Sequence, residues 1–237
     1  MATTWNLTDN LNLTLSNGNL TTGGTGGVGG GTRSTTSRTS GKLYFELQYT
    51  PGSSSTAGTT TGGGIANSGY TLGSSGTTGA AFQVANAAGT GDVRINNSTV
   101  VNGNSGSITT GTYIGIAVDI DGTLFWETTD GIHWNSNSSG VNDPATATGG
   151  QSFSAITGPY FIAGCIAGSG SSTRQLTLNV GASAFHYTVP SGFSAWDPPV
   201  AASGSGMMFG ARTIVDMGRD LWRRRRGLWV PDPAWAF

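Results

Sequence analysis

Residues Tyr113–Trp134 have the sequence YIGIAVDIDGTLFWETTDGIHW and contain the clearest β-strand pattern of the chain. Isoleucine or valine occupies every second position from 114 to 120, which is the period of a strand with one buried face. Asp121-Gly122 then predicts a turn, because glycine adopts positive φ without steric cost. Residues 123–128 are expected to form the returning strand, so the segment predicts a β-hairpin.

The length of this turn decides which side chains of the second strand face the isoleucines. A two-residue turn places Phe125 beside Val118 and Trp126 on the opposite face with Ala117. A three-residue turn instead places Leu124 and Trp126 on the isoleucine face. A shift of one residue exchanges the two faces of a strand. We predict the three-residue turn, because it gathers more apolar side chains on one side.

The composition favours an all-β protein with short strands and glycine-rich turns. The 237 residues include 40 glycines, only 10% are charged, and the net charge is −1. Disordered chains combine low hydrophobicity with high net charge, whereas 36% of these residues are hydrophobic. Short apolar segments separated by turns predict a sandwich or a barrel.

Further strands are predicted on both sides of the hairpin. Leu43, Phe45 and Leu47 share one face of the segment GKLYFELQY at 41–49, and Asn17-Gly18 is typical of a hairpin turn. Loops are expected at 21–31, 50–64 and 135–158. The remaining predicted strands are Gly64–Ala66, Ala80–Ala85, Val93–Asn96, Thr99–Val101, Tyr160–Ile166, Gln175–Asn179 and Ala184–Thr188.

The side chains that zinc sites and catalytic triads require are scarce. Cys165 is the single cysteine, and its apolar surroundings predict a small buried residue. His133 and His186 are the only histidines, and no motif of a nucleophilic serine accompanies them. We therefore predict no catalytic residues, no metal site and no cofactor.

The acidic residues also lack the patterns of a catalytic or calcium site. Glu46 has no partner carboxylate nearby in the sequence for general acid–base hydrolysis, so a structural role is favoured. Asp119 and Asp121 resemble the start of a calcium loop, but the closing glutamate is absent. We interpret both aspartates as turn residues.

A set of motifs follows one order along the chain. The motifs are Trp5-Asn6, LSNGNLT at 15–21, TRSTTSRTSGKLYFEL at 32–47, GIA at 64–66, IGIAVDIDGTLFW at 114–126 and LTLNVGASAFHYTVPSGFSAW at 176–196. Together they resemble the SPRY (B30.2-like) domain family, especially the versions that bacteriophages encode. The resemblance implies a bent antiparallel β-sandwich of two packed sheets over 1–196, and a recognition module that is not an enzyme. Phe45, Trp126, Phe185 and Phe193 are expected to fill its core.

The composition changes after Trp196. Residues 197–206 are typical of a linker, and 207–237 predict a docking tail that is irregular or contains one short helix at about 211–226. Arginine and tryptophan are enriched in interface hot spots, so the tail predicts docking to a partner protein. Binding to nucleic acid or to a membrane surface is less favoured. The predicted docking residues are Trp222, Arg223, Arg224, Arg225, Arg226, Trp229, Trp235 and Phe237.

These features lead to three hypotheses for the function. The first is a non-enzymatic phage virion accessory protein, such as a decoration, fibre or spike module, present in several copies. Its tail would bind other virion proteins, and its SPRY-like loops would contact a host surface glycan or protein. The second is a soluble SPRY adaptor that binds a peptide or protein, and the third is a glycan-active enzyme. The sequence predicts neither a signal peptide nor a membrane span.

Overall fold

The computed structural model describes residues 2–24, 29–50, 61–73, 78–85, 91–102, 108, 111–135, 141–166 and 174–197. These residues form β-strands, turns and one short 3-10 helix at Pro144–Thr146. Within these ranges, no helix is long and apolar enough to cross a membrane. The predicted docking tail, the possible helix at 211–226 and all of the predicted linker except Asp197 lie outside the described residues.

Fifteen strands are numbered β1 to β15 in chain order. Their bounds are Trp5–Leu11, Thr14–Ser16, Thr21–Gly24, Gly30–Arg38, Lys42–Thr50, Thr61–Ala66, Ala80–Ala85, Gly91–Ile95, Ser98–Val101, Tyr113–Asp119, Leu124–Thr128, Gln151–Ser152, Tyr160–Ile166, Arg174–Asn179 and Ser194–Ala195.

The strands form two sheets that pack as a sandwich. The first sheet has the order β1-β4-β13-β6-β7-β8-β9, and the second has the order β12-β11-β10-β5-β14-β3-β2. Neighbouring strands are antiparallel, except that the short β15 runs parallel to β5. The predicted all-β sandwich is therefore confirmed.

The main core lies between the two sheets. Trp5 and Ile65 of the first sheet meet Phe45 and Ile116 of the second, and all four side chains are fully buried. Burying one large apolar side chain contributes about 1.5–3 kcal/mol, so this layer is the main source of stability. Leu43 and Leu47 lie in the same core as Phe45, as the alternation of the sequence predicts.

The predicted three-residue turn of the central hairpin is wrong. Phe125 lies opposite Val118 and Trp126 lies opposite Ala117, which is the arrangement that the two-residue turn predicts. Four residues, Ile120–Thr123, connect β10 to β11. A loop of four residues places the side chains of β11 on the same faces as a loop of two, because the two loops differ by an even number of residues.

The sequence argument rejected the observed register because it assumed that only one face of the second sheet is buried. In the structure, both faces of this sheet are buried. Its outer face carries Tyr44, Ala117, Trp126 and Trp134. Residues 182–193, called the covering segment below, place three apolar side chains on this face. These side chains are Phe185, Val189 and Phe193.

Two further predictions fail for the same reason. The predicted strand Ala184–Thr188 is irregular, because this part of the chain crosses the outer face of the second sheet and pairs with none of its strands. Phe185 and Phe193 are only partly buried there and do not fill the core between the sheets. Trp126 is fully buried, although on this outer face.

The other predicted strands are confirmed, but the glycine-rich loops are shorter than expected. Strand β3 extends to Gly24, and β4 begins at Gly30, so much of 21–31 is strand. The predicted loop 50–64 also ends in strand β6. A Cβ atom at Gly62 or Gly64 would come within 2.1 Å of a backbone oxygen of β7, so these positions require glycine.

The outermost strands of both sheets are short or irregular. Strand β1 changes register between Trp5 and Asn10, where the backbone N–H of Thr8 donates to the side-chain oxygen of Asn6 at 3.0 Å. The other three outer strands contain three, four and two residues in β2, β9 and β12. Such features limit pairing with other chains.

Candidate functional site

Tyr113 and His186 form a stacked pair at the surface of the second sheet. Tyr113 begins β10, and His186 lies in the covering segment. The two ring centroids are 4.1 Å apart and the ring planes differ by 6°. His186 is exposed and Tyr113 is half-buried, so the pair presents aromatic surface to solvent.

Tyr187 joins this pair to the loop that follows β11. Its ring centroid lies 4.7 Å from that of His186, with the two planes nearly perpendicular. Its hydroxyl oxygen lies 3.1 Å from the carbonyl oxygen of Tyr113 and 2.5 Å from that of Thr129. Burial, with a further contribution from the negative charge of Glu46, raises the pKa of Tyr187 to about 12. The hydroxyl therefore stays a donor at neutral pH.

Gly131 allows the loop to approach the ring of Tyr187 closely. The residue has φ of 74°, and an added Cβ atom would lie 2.7 Å from the ring. A larger residue would therefore both strain the backbone and displace the tyrosine.

Glu46 holds the backbone of His186 and Tyr187 in place. Its side chain projects from β5 toward the covering segment and is 1% exposed. One carboxylate oxygen accepts hydrogen bonds from the Tyr44 hydroxyl and the Tyr187 N–H, both at 2.8 Å. The other accepts from the His186 N–H at 2.7 Å. A buried carboxylate requires such donors, and the predicted structural role of Glu46 is thus confirmed.

Asp130 organises the loop that carries the second histidine. One of its oxygens accepts from the N–H groups of Ile132 and His133, each at 2.8 Å. The other lies 2.6 Å from Nδ1 of His133. Partial burial alone would raise the pKa of Asp130, but these hydrogen bonds outweigh it and lower the pKa to about 2. The loop therefore carries a fixed negative charge at neutral pH.

We call this surface the aromatic platform. Both histidines of the chain belong to it, although they come from different loops. The platform consists of Tyr113, Asp130, Ile132, His133, His186 and Tyr187. Ile132 is 70% exposed and lies beside the Asp130–His133 pair.

The sequence patterns do not predict this platform. The aromatic residue that follows each histidine in the chain, Trp134 or Tyr187, was the one available signal. The covering segment is connected to β5 through Glu46. This residue accepts from two backbone N–H groups that are distant in the chain, and such contacts leave no pattern in the sequence. Glu46 also holds the covering segment in an irregular conformation at residues 186 and 187, whereas the sequence pattern predicted a strand there.

The remaining residues named from the sequence have structural roles or cannot be placed. Asp119 accepts from the N–H of Gly122 at 2.8 Å, and Asp121 accepts from that of Gly41 at 3.0 Å, as expected of turn residues. Cys165 is fully buried, as predicted. In the described ranges, no three metal-ligating side chains come together. The docking residues between Trp222 and Phe237 lie outside the described residues.

Comparison with known proteins identifies the fold. No protein-family model matches the sequence, and no curated protein sequence matches it. The structure is similar to the SPRY domain of human HERC1, with a TM-score of 0.52 and 13% identity over 74% of this chain and 96% of that domain. It is also similar to stonustoxin, with a TM-score of 0.50 and 14% identity over 75% of this chain and 28% of the toxin chain.

The sandwich therefore has a SPRY-like fold, as the sequence motifs suggested. At these identities the likeness concerns the fold alone. The phage-type assignment of the sequence stays a prediction.

Proposed function

We propose that this chain is a non-enzymatic recognition protein of a phage particle. The SPRY-like sandwich carries a recognition surface, and the tail at 207–237 anchors the chain to other virion proteins. The observation that carries the recognition role is the stacked Tyr113–His186 pair, in which His186 is exposed and its backbone N–H is held by the buried Glu46. Rigid aromatic side chains supply contact area at a low entropic cost, which is typical of binding surfaces.

The use of the carboxylates supports recognition over catalysis. Glu46 and Asp130 accept several hydrogen bonds each from groups that fix the local backbone. A general acid or base must instead reach a substrate proton with a free oxygen. Both carboxylates therefore serve to hold the platform, which argues against the glycan-active enzyme.

The virion assignment rests on the sequence. The motif order resembles phage-encoded SPRY domains, and the tail combines a run of four arginines, 223–226, with three tryptophans. Exposed tryptophans are unfavourable in water, and with arginine they are typical of interface hot spots. This composition supports a tail that is buried against a partner in the assembled particle.

Deletion of 207–237 tests the anchoring. We expect the shortened protein to fold but to be lost from purified particles, as measured by quantitative mass spectrometry of their protein content. A matched variant with Trp222, Trp229 and Trp235 changed to alanine should show the same loss. Normal incorporation of both variants would contradict the anchoring role.

A soluble adaptor is the second candidate. It is favoured by the contact of Thr3 with Asp197, which joins the two ends of the described sandwich before the tail begins. An adaptor predicts that residues 1–197 alone bind a peptide or protein partner as tightly as the full chain. A partner that requires the tail would exclude this candidate.

A further inference from the structure

The aromatic platform has no strand edge that an extended peptide could extend. Tyr113 lies opposite Gln48 of β5, and its carbonyl oxygen is within hydrogen-bond distance of the Tyr187 hydroxyl. The covering segment beside it is irregular. Strand addition requires a row of unpaired backbone groups. A ligand at the platform must therefore be recognised mainly through side chains.

The side chains of the platform offer ring surfaces and polar edges together. Tyr113 and His186 provide stacked rings that reach solvent, and His133 adds a partly exposed imidazole. The faces of aromatic rings are electron-rich. The C–H groups of a pyranose ring carry a partial positive charge and pack against such faces.

The charge of the platform disfavours acidic ligands. Asp130 is negative at neutral pH, and the buried carboxylate of Glu46 lies directly behind the backbone of His186. The ion pairs that lysine and arginine form in the described part of the chain lie elsewhere. Like charges across an interface are costly, so sulfated, sialylated or phosphorylated groups are poor partners here.

The platform is also held rigid before any ligand arrives. Phe185, Val189 and Phe193 of the covering segment pack against the outer face of the second sheet. The hydrogen bonds that Glu46 accepts act on the backbone itself, because they fix the N–H groups of His186 and Tyr187. Preorganised contact groups lose less entropy on binding.

We infer that the aromatic platform binds neutral oligosaccharides by packing sugar rings against the exposed outer side of the Tyr113–His186 stack. This inference rests on the proposed recognition function and names the ligand class of that surface. Ile132, in the loop that Asp130 organises, is 70% exposed and is the apolar side chain of the platform.

The test titrates the full chain with maltohexaose, cellohexaose, mannohexaose and chitohexaose, using calorimetry and saturation-transfer NMR. Polygalacturonic acid serves as the acidic probe, and a displayed random-peptide library serves as the peptide probe. We expect binding of at least one neutral oligosaccharide and none of the acidic probe. Failure of all four neutral probes to bind would overturn the inference.

Three variants locate the binding. His186→Ala and Tyr113→Ala should weaken the affinity about tenfold or more, as expected for truncated aromatic anchors. His186→Phe keeps a ring that stacks on Tyr113 and should retain most of the affinity. Leu7→Ala is the matched control, because Leu7 is 67% exposed on β1 of the first sheet and should leave binding unchanged.

The outcomes separate this inference from the proposed function. If His186→Phe loses as much affinity as His186→Ala while both remain folded by circular dichroism, ring stacking is not the contact and the inference fails. If the platform variants lose binding of a peptide and no sugar binds, the surface recognises protein and the sugar inference fails while the recognition role stands. The tail-deletion experiment tests particle anchoring and is independent of all these results.

Discussion

Thr3 and Asp197, 194 residues apart in the chain, are joined by two hydrogen bonds. The backbone N–H of Thr3 donates to one carboxylate oxygen at 2.5 Å, and its hydroxyl donates to the other at 2.8 Å. Arg38 also donates to this carboxylate at 2.9 Å and to the carbonyl oxygen of Trp196. The described sandwich therefore includes Asp197, and fragments of it should end after this residue.

Asp197→Ala should destabilise the protein. Thr3 is fully buried, so its N–H and hydroxyl would lose a charged acceptor without access to water. Hydrogen bonds to charged groups are each worth about 1.5–3 kcal/mol, so the two bonds from Thr3 predict a loss of about 3 kcal/mol or more in the free energy of unfolding. Urea denaturation of the full chain measures this. Asp121→Ala, which removes a single exposed bond, is the control and should cost far less.

Glu46→Gln should loosen the covering segment without unfolding the sandwich. The amide NH2 group of glutamine cannot accept a hydrogen bond, so the N–H of His186 or of Tyr187 loses its acceptor. Such a loss costs about 1–3 kcal/mol. Amide hydrogen exchange at 186 and 187 should accelerate strongly, while exchange in β10 stays slow.

Tyr44→Phe is the matched control for this substitution. It removes one donor to Glu46 but leaves both backbone donors in place. Exchange at 186 and 187 should then remain close to that of the wild type. Equal exchange in the two variants would contradict the anchoring role of the carboxylate.

Protonation of Asp130 should weaken the loop after β11 at low pH. The hydrogen bonds to Asp130 lower the pKa of this carboxyl group to about 2 in the folded protein, below the ordinary aspartate value of 3.8. A lowered folded-state pKa contributes stability that is complete above about pH 4 and is lost as the pH falls through 2. NMR titration of the side-chain carboxyl carbon should give a midpoint near 2. In Asp130→Asn, the pH dependence of stability between 4 and 2 should be smaller; an unchanged dependence would contradict the role of this group.

Thr123→Asn should stabilise the central hairpin. Thr123 has φ of 52°, a left-handed conformation that a β-branched residue adopts at a cost of about 1–2 kcal/mol. Asparagine adopts this conformation more readily, and the carbonyl of residue 123 would still accept from Phe153 at 3.0 Å. We expect a higher melting temperature by calorimetry. Thr99→Asn on the exposed part of β9 should produce no such increase.

Cys165 should report the opening of the first sheet. The thiol is fully buried, and burial raises its pKa to about 11. Because the thiolate is the reactive form, the folded protein should react very slowly with a disulfide reagent at pH 8. In guanidinium chloride the reaction should proceed at the rate of a free cysteine. Fast labelling of the native protein would show that β13 opens readily.

Strands such as β5 and β10 were predictable from the sequence because they carry apolar residues at alternate positions, whereas β4, with the sequence GGTRSTTSR, carries none. Phe45 and Ile116 follow this rule, and both lie in the core as expected. The face of the second sheet on which Trp126 lies was not predictable in this way. Counting apolar residues assumes one buried face, whereas the covering segment buries the other face as well.

The aromatic platform was beyond sequence reasoning for a related reason. Its residues belong to three separate parts of the chain, and the contacts that unite them run through backbone groups. A glutamate without a partner carboxylate in the sequence indicates only that it is not half of a catalytic pair. The N–H groups of His186 and Tyr187 become its partners only when the covering segment crosses β5.

The irregular and short outer strands have a consequence for crowding. Another copy that approaches β1 meets an interrupted row of N–H and C=O groups, because the register changes between Trp5 and Asn10. The other three outer strands offer at most four residues for pairing. These edges disfavour continuous pairing between the sheets of neighbouring molecules. The described outer strands therefore favour separate molecules over edge-to-edge aggregation at high local concentration.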